Sequence, residues 1–325
     1  MRIERLLLVL AMVASLAFVV AACGDDEDEP NASSDGGSSE QELSGSIRID
    51  GSSTVFPFAE AAGELFNEEV GESVQVTVGQ SGTGGGFEKF CAGETDISDA
   101  SRPIKDDEEA PICEENGVAF QELQVANDGI AIATNKDLAI ECMTVEQLKM
   151  LWQPKSKVKS YSDIDPSFPD KPVKLFGPGT DSGTFDFFTD VINGEEGASR
   201  EDYEASEDDN QLVTGVAGTS GGLAYFGFSY YEANADKLNL VQVDGGDGCV
   251  APSAETIQDG SYAPLSRPLF MYPAKSAIEK PQVKAFLDFT LENQQAIAEA
   301  AKIVPMTEEQ ASEAGSNLQA LESGA

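Results

Sequence analysis

Beyond residue 45 the chain switches repeatedly between two hydrophobic periods. Ser46-Ile47-Arg48-Ile49-Asp50 alternates every second residue, the mark of a half-buried strand, and the polar stop Gly51-Ser52-Ser53-Thr54 follows. Apolar residues then recur at helical spacing over 57–69. A second strand over 74–78 runs into the glycine-rich stretch Gly79-Gln80-Ser81-Gly82-Thr83-Gly84-Gly85-Gly86, and a short helix carrying Phe87 and Phe90 comes next. A brief strand over 95–98 ends near Asp99, and 106–115 reads as a helix. Strand, small-residue loop and helix thus recur, which predicts an α/β fold with functional loops at the strand ends.

The same pattern returns about a hundred residues later. Strands over 118–125 and 129–134 carry the chain from one lobe to the next, and a helix over 144–151 has Thr144 as its N-cap. A strand over 173–176 leads into Gly177-Pro178-Gly179-Thr180-Asp181-Ser182-Gly183-Thr184, after which Phe185, Phe188, Val191 and Ile192 mark one helical face. Residues 194–210 form an acidic surface insertion. Further strands are expected over 223–229, 238–243 and 269–272, and a closing helical section over 283–289 and 296–301. Ala263-Pro264-Leu265-Ser266-Arg267-Pro268 reads as a return crossing, and Trp152 as a packing residue. These positions suit two lobes, one built from 45–126 plus 253–325 and the other from 127–252.

The N-terminus stands apart. Arg2 and Arg5 precede an apolar run over 6–22 that ends Val20-Ala21-Ala22-Cys23-Gly24. A transmembrane anchor would need only a slightly longer run. The basic start and the small-small-Cys-Gly junction favour a secretory signal over 1–22, whose removal leaves Cys23 as a lipidated N-terminus. Residues 23–44, rich in Gly, Asp, Glu and Ser, read as a disordered acidic tether. The chain is therefore expected outside the cytoplasm, on the outer face of the cell membrane or in a periplasm, touching membrane only through its lipid.

Charge and cysteines narrow the chemistry. Past residue 22 there are 18 basic and 57 acidic side chains, and the chain has no histidine. Such a surface repels nucleic acid and anionic lipid, and a histidine triad or histidine-ligated zinc is excluded. Cys91, Cys113, Cys142 and Cys249 are even in number and suit disulfides outside the cytoplasm. Three connectivities are open. Cys91 with Cys113 is the shorter closure and is preferred, leaving Cys142 with Cys249; a four-cysteine metal site lacks a close-spaced pair.

Four polar loops carry the chemistry: residues 51–55, 80–86, 98–102 and 177–184. Each holds hydroxyl side chains, and three of them also hold glycines. Unpaired N–H groups at helix starts, close backbone approach at glycine and neutral O–H donors all suit an anion. Any one loop is equally compatible with ordinary capping or a turn, and the glycine run lacks the lysine and spacing of a nucleotide loop. The four together point to an oxyanion site.

Their sequence is more specific than their composition. Asp50-Gly51-Ser52-Ser53-Thr54-Val55-Phe56-Pro57, Ser81-Gly82-Thr83-Gly84-Gly85-Gly86-Phe87, Asp96-Ile97-Ser98-Asp99-Ala100-Ser101-Arg102-Pro103 and the 177–185 segment resemble, in order and spacing, the phosphate-binding proteins of phosphate-uptake ABC transporters. The resemblance spans roughly residues 45 to 305. It implies a type II periplasmic-binding-protein-like clamshell of two lobes, each a mixed sheet flanked by helices. Such a protein is no enzyme, needs no cofactor, and works as a monomer delivering phosphate to a membrane permease and its ATPase. Carried over by position, the ligand residues are Ser53, Thr54, Val55, Thr83 or Ser81, Asp99, Ser182, Gly183 and Thr184. Many relatives place an arginine four residues before the Ser of Ser182-Gly183-Thr184, where this chain has Pro178. Arg102, three residues after Asp99, is the candidate to supply the missing charge or else forms a structural ion pair. Sulfate, molybdate or an organic phosphate are the alternative ligands, and a sensor or adhesion lipoprotein the alternative role. A secreted phosphatase would need a nucleophile with a base, or a two-metal cluster, that the sequence does not display.

Asp99 is informative because an ionised carboxylate has no proton to give. A protonated phosphate can donate to it, whereas sulfate cannot, and an unbridged pair of buried anions costs several kcal/mol, roughly 10³-fold in affinity. Asp99→Asn is therefore expected to narrow the preference for phosphate over sulfate in titration calorimetry; an unchanged preference would contradict the role.

Overall fold

The computed structural model describes residues 43–180 and 182–323; the signal segment, Cys23 and all but the last positions of the tether lie outside the described residues. Leu43, at the tether's end, already packs against the first core. The first lobe opens β1 (Gly45–Gly51), α1 (Phe56–Glu69), β2 (Val74–Gln80), α2 (Gly82–Cys91), β3 (Ile97–Ala100) and α3 (Ala110–Glu115). β1 lies between β2 and β3, parallel to both. α1 starts with Pro57 in its first turn, where a missing N–H costs nothing, and buries Phe58, Ala59, Ala62 and Phe66 along one stripe. α3 is shorter than the 106–115 helix that its sequence suggests, because 106–109 forms turns ahead of Pro111.

β4 (Leu123–Asn135) is a single 13-residue strand, where the sequence pattern had suggested two. The polar Asn127-Asp128-Gly129 looks like a break but is the place where the strand changes partners. Residues up to Gly129 pair antiparallel with β11; Ile130 to Asn135 pair with β8 and β9. The Asn127 amide donates to the Pro305 carbonyl (3.1 Å) and its backbone exchanges hydrogen bonds with Val304, while Asp128 meets Arg267, so both polar side chains are buried with partners.

The second lobe follows as β5 (Cys142–Thr144), α4 (Val145–Trp152), β6 (Lys174–Gly177), α5 (Gly183–Phe188), β7 (Glu204–Ala205), α6 (Asp209–Gly218), β8 (Gly222–Gly227), α7 (Phe228–Glu232), β9 (Leu238–Asp244), β10 (Cys249–Val250) and α8 (Ala254–Gln258). α5 continues into a π-helical turn, Thr189–Asn193. A capping box at Thr144 and Gln147 fixes the start of α4. Trp152 is fully buried against Phe188, Tyr203 and Tyr225. The chain returns on β11 (Ser266–Pro273), antiparallel to both β3 and β4, and ends in α9 (Lys275–Ile278), α10 (Pro281–Glu292), α11 (Gln294–Ala301) and α12 (Glu308–Ser323). α12 escapes sequence reading because only Ala314, Leu318 and Leu321 bury, too sparse a stripe in a run of Glu, Gln, Ser and Ala.

Two main apolar cores result. One joins Ile47, Phe58, Phe66, Phe87 and Ile97 to Leu269, Phe286 and Leu318; the other gathers Ile130, Trp152, Leu175, Tyr225 and Val241. The architecture is a two-lobe α/β clamshell with mixed sheets flanked by helices. Ile257, Tyr262 and Leu265 belong to the second core: Ile257 packs onto Gly129, and the Tyr262 hydroxyl donates to the Ile130 carbonyl (2.9 Å). Among the described residues no helix is long and apolar enough to cross a membrane.

Disulfides join Cys91 to Cys113 and Cys142 to Cys249, across 22 and 107 residues of sequence. The longer closure removes more freedom from the unfolded chain. Replacing Cys142 and Cys249 together by Ser is expected to lower unfolding stability by about 2–4 kcal/mol, read from a denaturant midpoint; an unmoved midpoint would contradict this.

Candidate functional site

The loops after β1 and β2 and before α5 converge where the lobes meet. Ser52 N–H donates to the Asp99 carbonyl (3.1 Å), and its hydroxyl accepts from Thr54 N–H (3.2 Å), so the β1 loop is held against the end of β3. Val55 is the buried N-cap of α1, leaving Ser53 and Thr54 at the helix entrance. From the other lobe, the Ser182 hydroxyl caps α5 by accepting from Thr184 N–H (3.2 Å). Between them Gly183 is buried, and a Cβ there would stand 2.3 Å from Thr54 Oγ1 and 2.8 Å from Ser53 Oγ. Only glycine allows this approach, and the lobes touch through it.

A cavity of about 560 Å³ opens beside this contact, lined by Ser53, Thr54, Ser81, Thr83, Arg102 and Gly183, together with Asp186 and Arg267. Thr83 Oγ1 accepts from Ser101 N–H (3.2 Å), while the Ser81 hydroxyl donates to Asp50, which Lys89 pairs at 2.6 Å. Ser182 and Thr184 face a smaller cavity of about 320 Å³, which shares Ser53, Thr54 and Gly183 with the first. Val55 and Asp99 line neither. Asp99 sits one layer behind, against Gly51, whose Cβ would fall 2.4 Å from Asp99 Oδ1. It is fully buried, and among the described residues neither carboxylate oxygen has a hydrogen-bond partner. Burial pushes its carboxyl well above the ordinary range, and the nearby Asp50 adds to the rise.

The two arginines of the site differ. Arg102 donates twice to Glu109 (2.8 and 2.9 Å) and lies over the Phe87 ring, so its charge is already matched on the first lobe's surface. Arg267, on β11, was read from sequence only as part of a crossing. It donates to Thr54 Oγ1 (2.7 Å), lies 3.3 Å from Asp128 Oδ2, and reaches the Gly183 carbonyl at 3.5 Å. Its guanidinium stacks 3.7 Å from the centre of the Phe187 ring. One cation thus touches the first-lobe loop, the crossing strand and α5 of the second lobe. Burial pulls its pKa down and Asp128 holds it up; a guanidinium stays charged under both. The available sequence signal was slight: one of 18 basic residues past position 22, in a strand returning past Asp128. Hydroxyls, oriented amides and a guanidinium are the kinds of donor an oxyanion needs. Among the described residues no cluster of acidic, cysteine or histidine side chains is arranged to hold a metal ion.

A PBP superfamily domain matches residues 36–294. Protein SphX of Synechocystis sp. is 45% identical over 272 residues, 82% of this chain and 80% of that protein. The phosphate-binding protein PstS of Staphylococcus epidermidis is 39% identical over 303 residues, 91% of this chain and 88% of that one. A crystal structure of a possible phosphate-binding protein from Planctomyces limnophilus superposes with a TM-score of 0.81 at 43% identity, covering 86% of this chain and 99% of that one.

The two arginines should respond differently to removal. Arg267→Met leaves Asp128 buried without its partner and is expected to cost roughly 3–5 kcal/mol of unfolding stability. Arg102→Met, at a pair only partly buried, is expected to cost less, about 1 kcal/mol. Denaturant titration of both variants checks this, and equal losses would contradict the assignment.

Proposed function

We propose that this chain, which belongs to the phosphate-binding proteins of ABC transporters within the PBP superfamily, binds inorganic phosphate between its lobes and delivers it to a membrane permease. It is a binding protein and not an enzyme. The single observation that carries the reading is the convergence of hydroxyl loops from both lobes on Arg267.

In this reading Ser53, Thr54, Thr83, Ser182 and Thr184 offer neutral donors, and the amides at the starts of α1 and α2 add others. Arg267 takes the part of the arginine absent at Pro178, while Arg102 stays with Glu109. Closure brings Gly183 onto Ser53 and Thr54 and excludes water, which strengthens every hydrogen bond to the anion. Asp99 works from behind the wall. One hydrogen bond between a carboxyl and a phosphate oxygen needs one proton, supplied by either partner. Phosphate carries that proton at neutral pH. Sulfate does not, so sulfate depends on a proton held by Asp99 itself, which burial favours and rising pH withdraws.

Cys23, lipidated after signal removal, would hold a monomer at the outer face of the membrane beside the permease and its ATPase. Selection then rests on short-range hydrogen bonds, so a strongly acidic protein can hold an anion with little help from long-range attraction. Isothermal titration of the soluble chain from residue 45 is expected to give tight phosphate binding that varies little with salt, and sulfate binding weaker by roughly 10³-fold. Sulfate binding as tight as phosphate, or heat only with an organic phosphate, would overturn the assignment.

A further inference from the structure

Three carboxylates on the cavity wall, Asp186, Asp190 and Glu196, have no part in the anion reading, and Asp186 is the one carried on α5 itself. It lies on α5, one turn after Gly183, and lines the same cavity as Thr54, Thr83 and Arg267. Its backbone is held, since its N–H donates to the Ser182 carbonyl (3.1 Å) and its carbonyl accepts from Thr189 Oγ1 (3.0 Å). Its half-buried carboxylate has neither a hydrogen-bond donor nor an ion-pair partner among the described residues. Asp128 already holds Arg267, and Asp190 and Glu196 line the same wall. An anion entering this cavity therefore meets Arg267 with Asp186 beside it.

We infer that Asp186 is a specificity-determining residue of the anion site, a second carboxylate that must itself be protonated before a phosphate dianion is held tightly. The inference rests on the phosphate reading and adds to it a proton taken up on binding. Burial raises the Asp186 carboxyl to about 6, Glu196 and Glu207 push it the same way, and Arg267 opposes them. Those groups, with Asp190 on the following turn and the buried Tyr225 hydroxyl, are the titratable and charged groups around it. An arriving anion adds negative charge and lifts the pKa further. The bound state thus binds more protons than the free state above pH 6, and affinity falls as pH rises through that range. Below pH 6 both states are protonated and the effect vanishes.

The test compares phosphate Kd for the wild-type chain and Asp186→Asn by calorimetry from pH 5 to pH 8. Phosphate's own ionisation is common to both proteins and cancels in the ratio. The wild-type Kd divided by the variant Kd is expected to be near one at pH 5 and to grow towards about tenfold at pH 8, one pKa unit of linkage. Glu196→Gln, which leaves Asp186 in place, is expected to shift the onset of the wild-type pH dependence to lower pH. A ratio that stays flat across the range, or an onset that Glu196→Gln does not move, would overturn the inference while leaving phosphate binding intact. Absence of phosphate binding by the wild-type chain at every pH would overturn both.

Discussion

Arg267 and Asp128 face each other across the two strands on which the chain passes between lobes, in register in the β4–β11 ladder. A carboxylate buried at that crossing requires a cation, because an unpaired charge there would cost several kcal/mol. The cation in turn has donors to spare, and it spends them on Thr54 of one lobe and the Gly183 carbonyl of the other. The pair therefore fixes three things at once: the register of the crossing strands, the orientation of the first binding loop and the distance at which α5 docks. Phe187, stacked under the guanidinium, keeps its plane from turning.

From that pair the rest of the site follows by short steps. β4 can run unbroken through Asn127 and Asp128 because each polar side chain finds a buried partner. The crossing strands hold the lobes edge to edge, and the loops at the ends of β1, β2 and β3 then face the start of α5. Neutral hydroxyls dominate the surface so formed, and carboxylates surround it; in the proposed reading, proton content more than net attraction is then the basis of selection. An acidic surface and an anion site coexist because hydrogen bonds act within a few ångströms, whereas long-range repulsion between exposed charges is screened by salt.

Much of this was legible in sequence, for identifiable reasons. Ser53, Thr54, Thr83 and Gly183 stood out because hydroxyls and glycines at strand ends depart from both hydrophobic periods, and their order matched a known family. What stayed hidden depended on contacts distant in sequence. Arg267 lies 139 residues from Asp128 and 213 from Thr54, and nothing local distinguishes it from a solvated arginine. Arg102, close to Asp99 in sequence, was the natural substitute; it lines the cavity and also pairs with Glu109 seven residues on. β4 was read as two strands because a polar triplet looks like a turn until its partners are known. α12 was invisible because three small burial points do not make a period.

The most direct test of the central claim is a crystal structure of the chain with phosphate bound. The account predicts the anion between the lobes, with one oxygen within hydrogen-bond distance of the Arg267 guanidinium, others on Thr54, Thr83 and the Ser182-Gly183-Thr184 turn, and the oxygen nearest Asp99 carrying the shared proton. Phosphate seated on Arg102 with Arg267 still confined to Asp128, or held by one lobe alone, would contradict it.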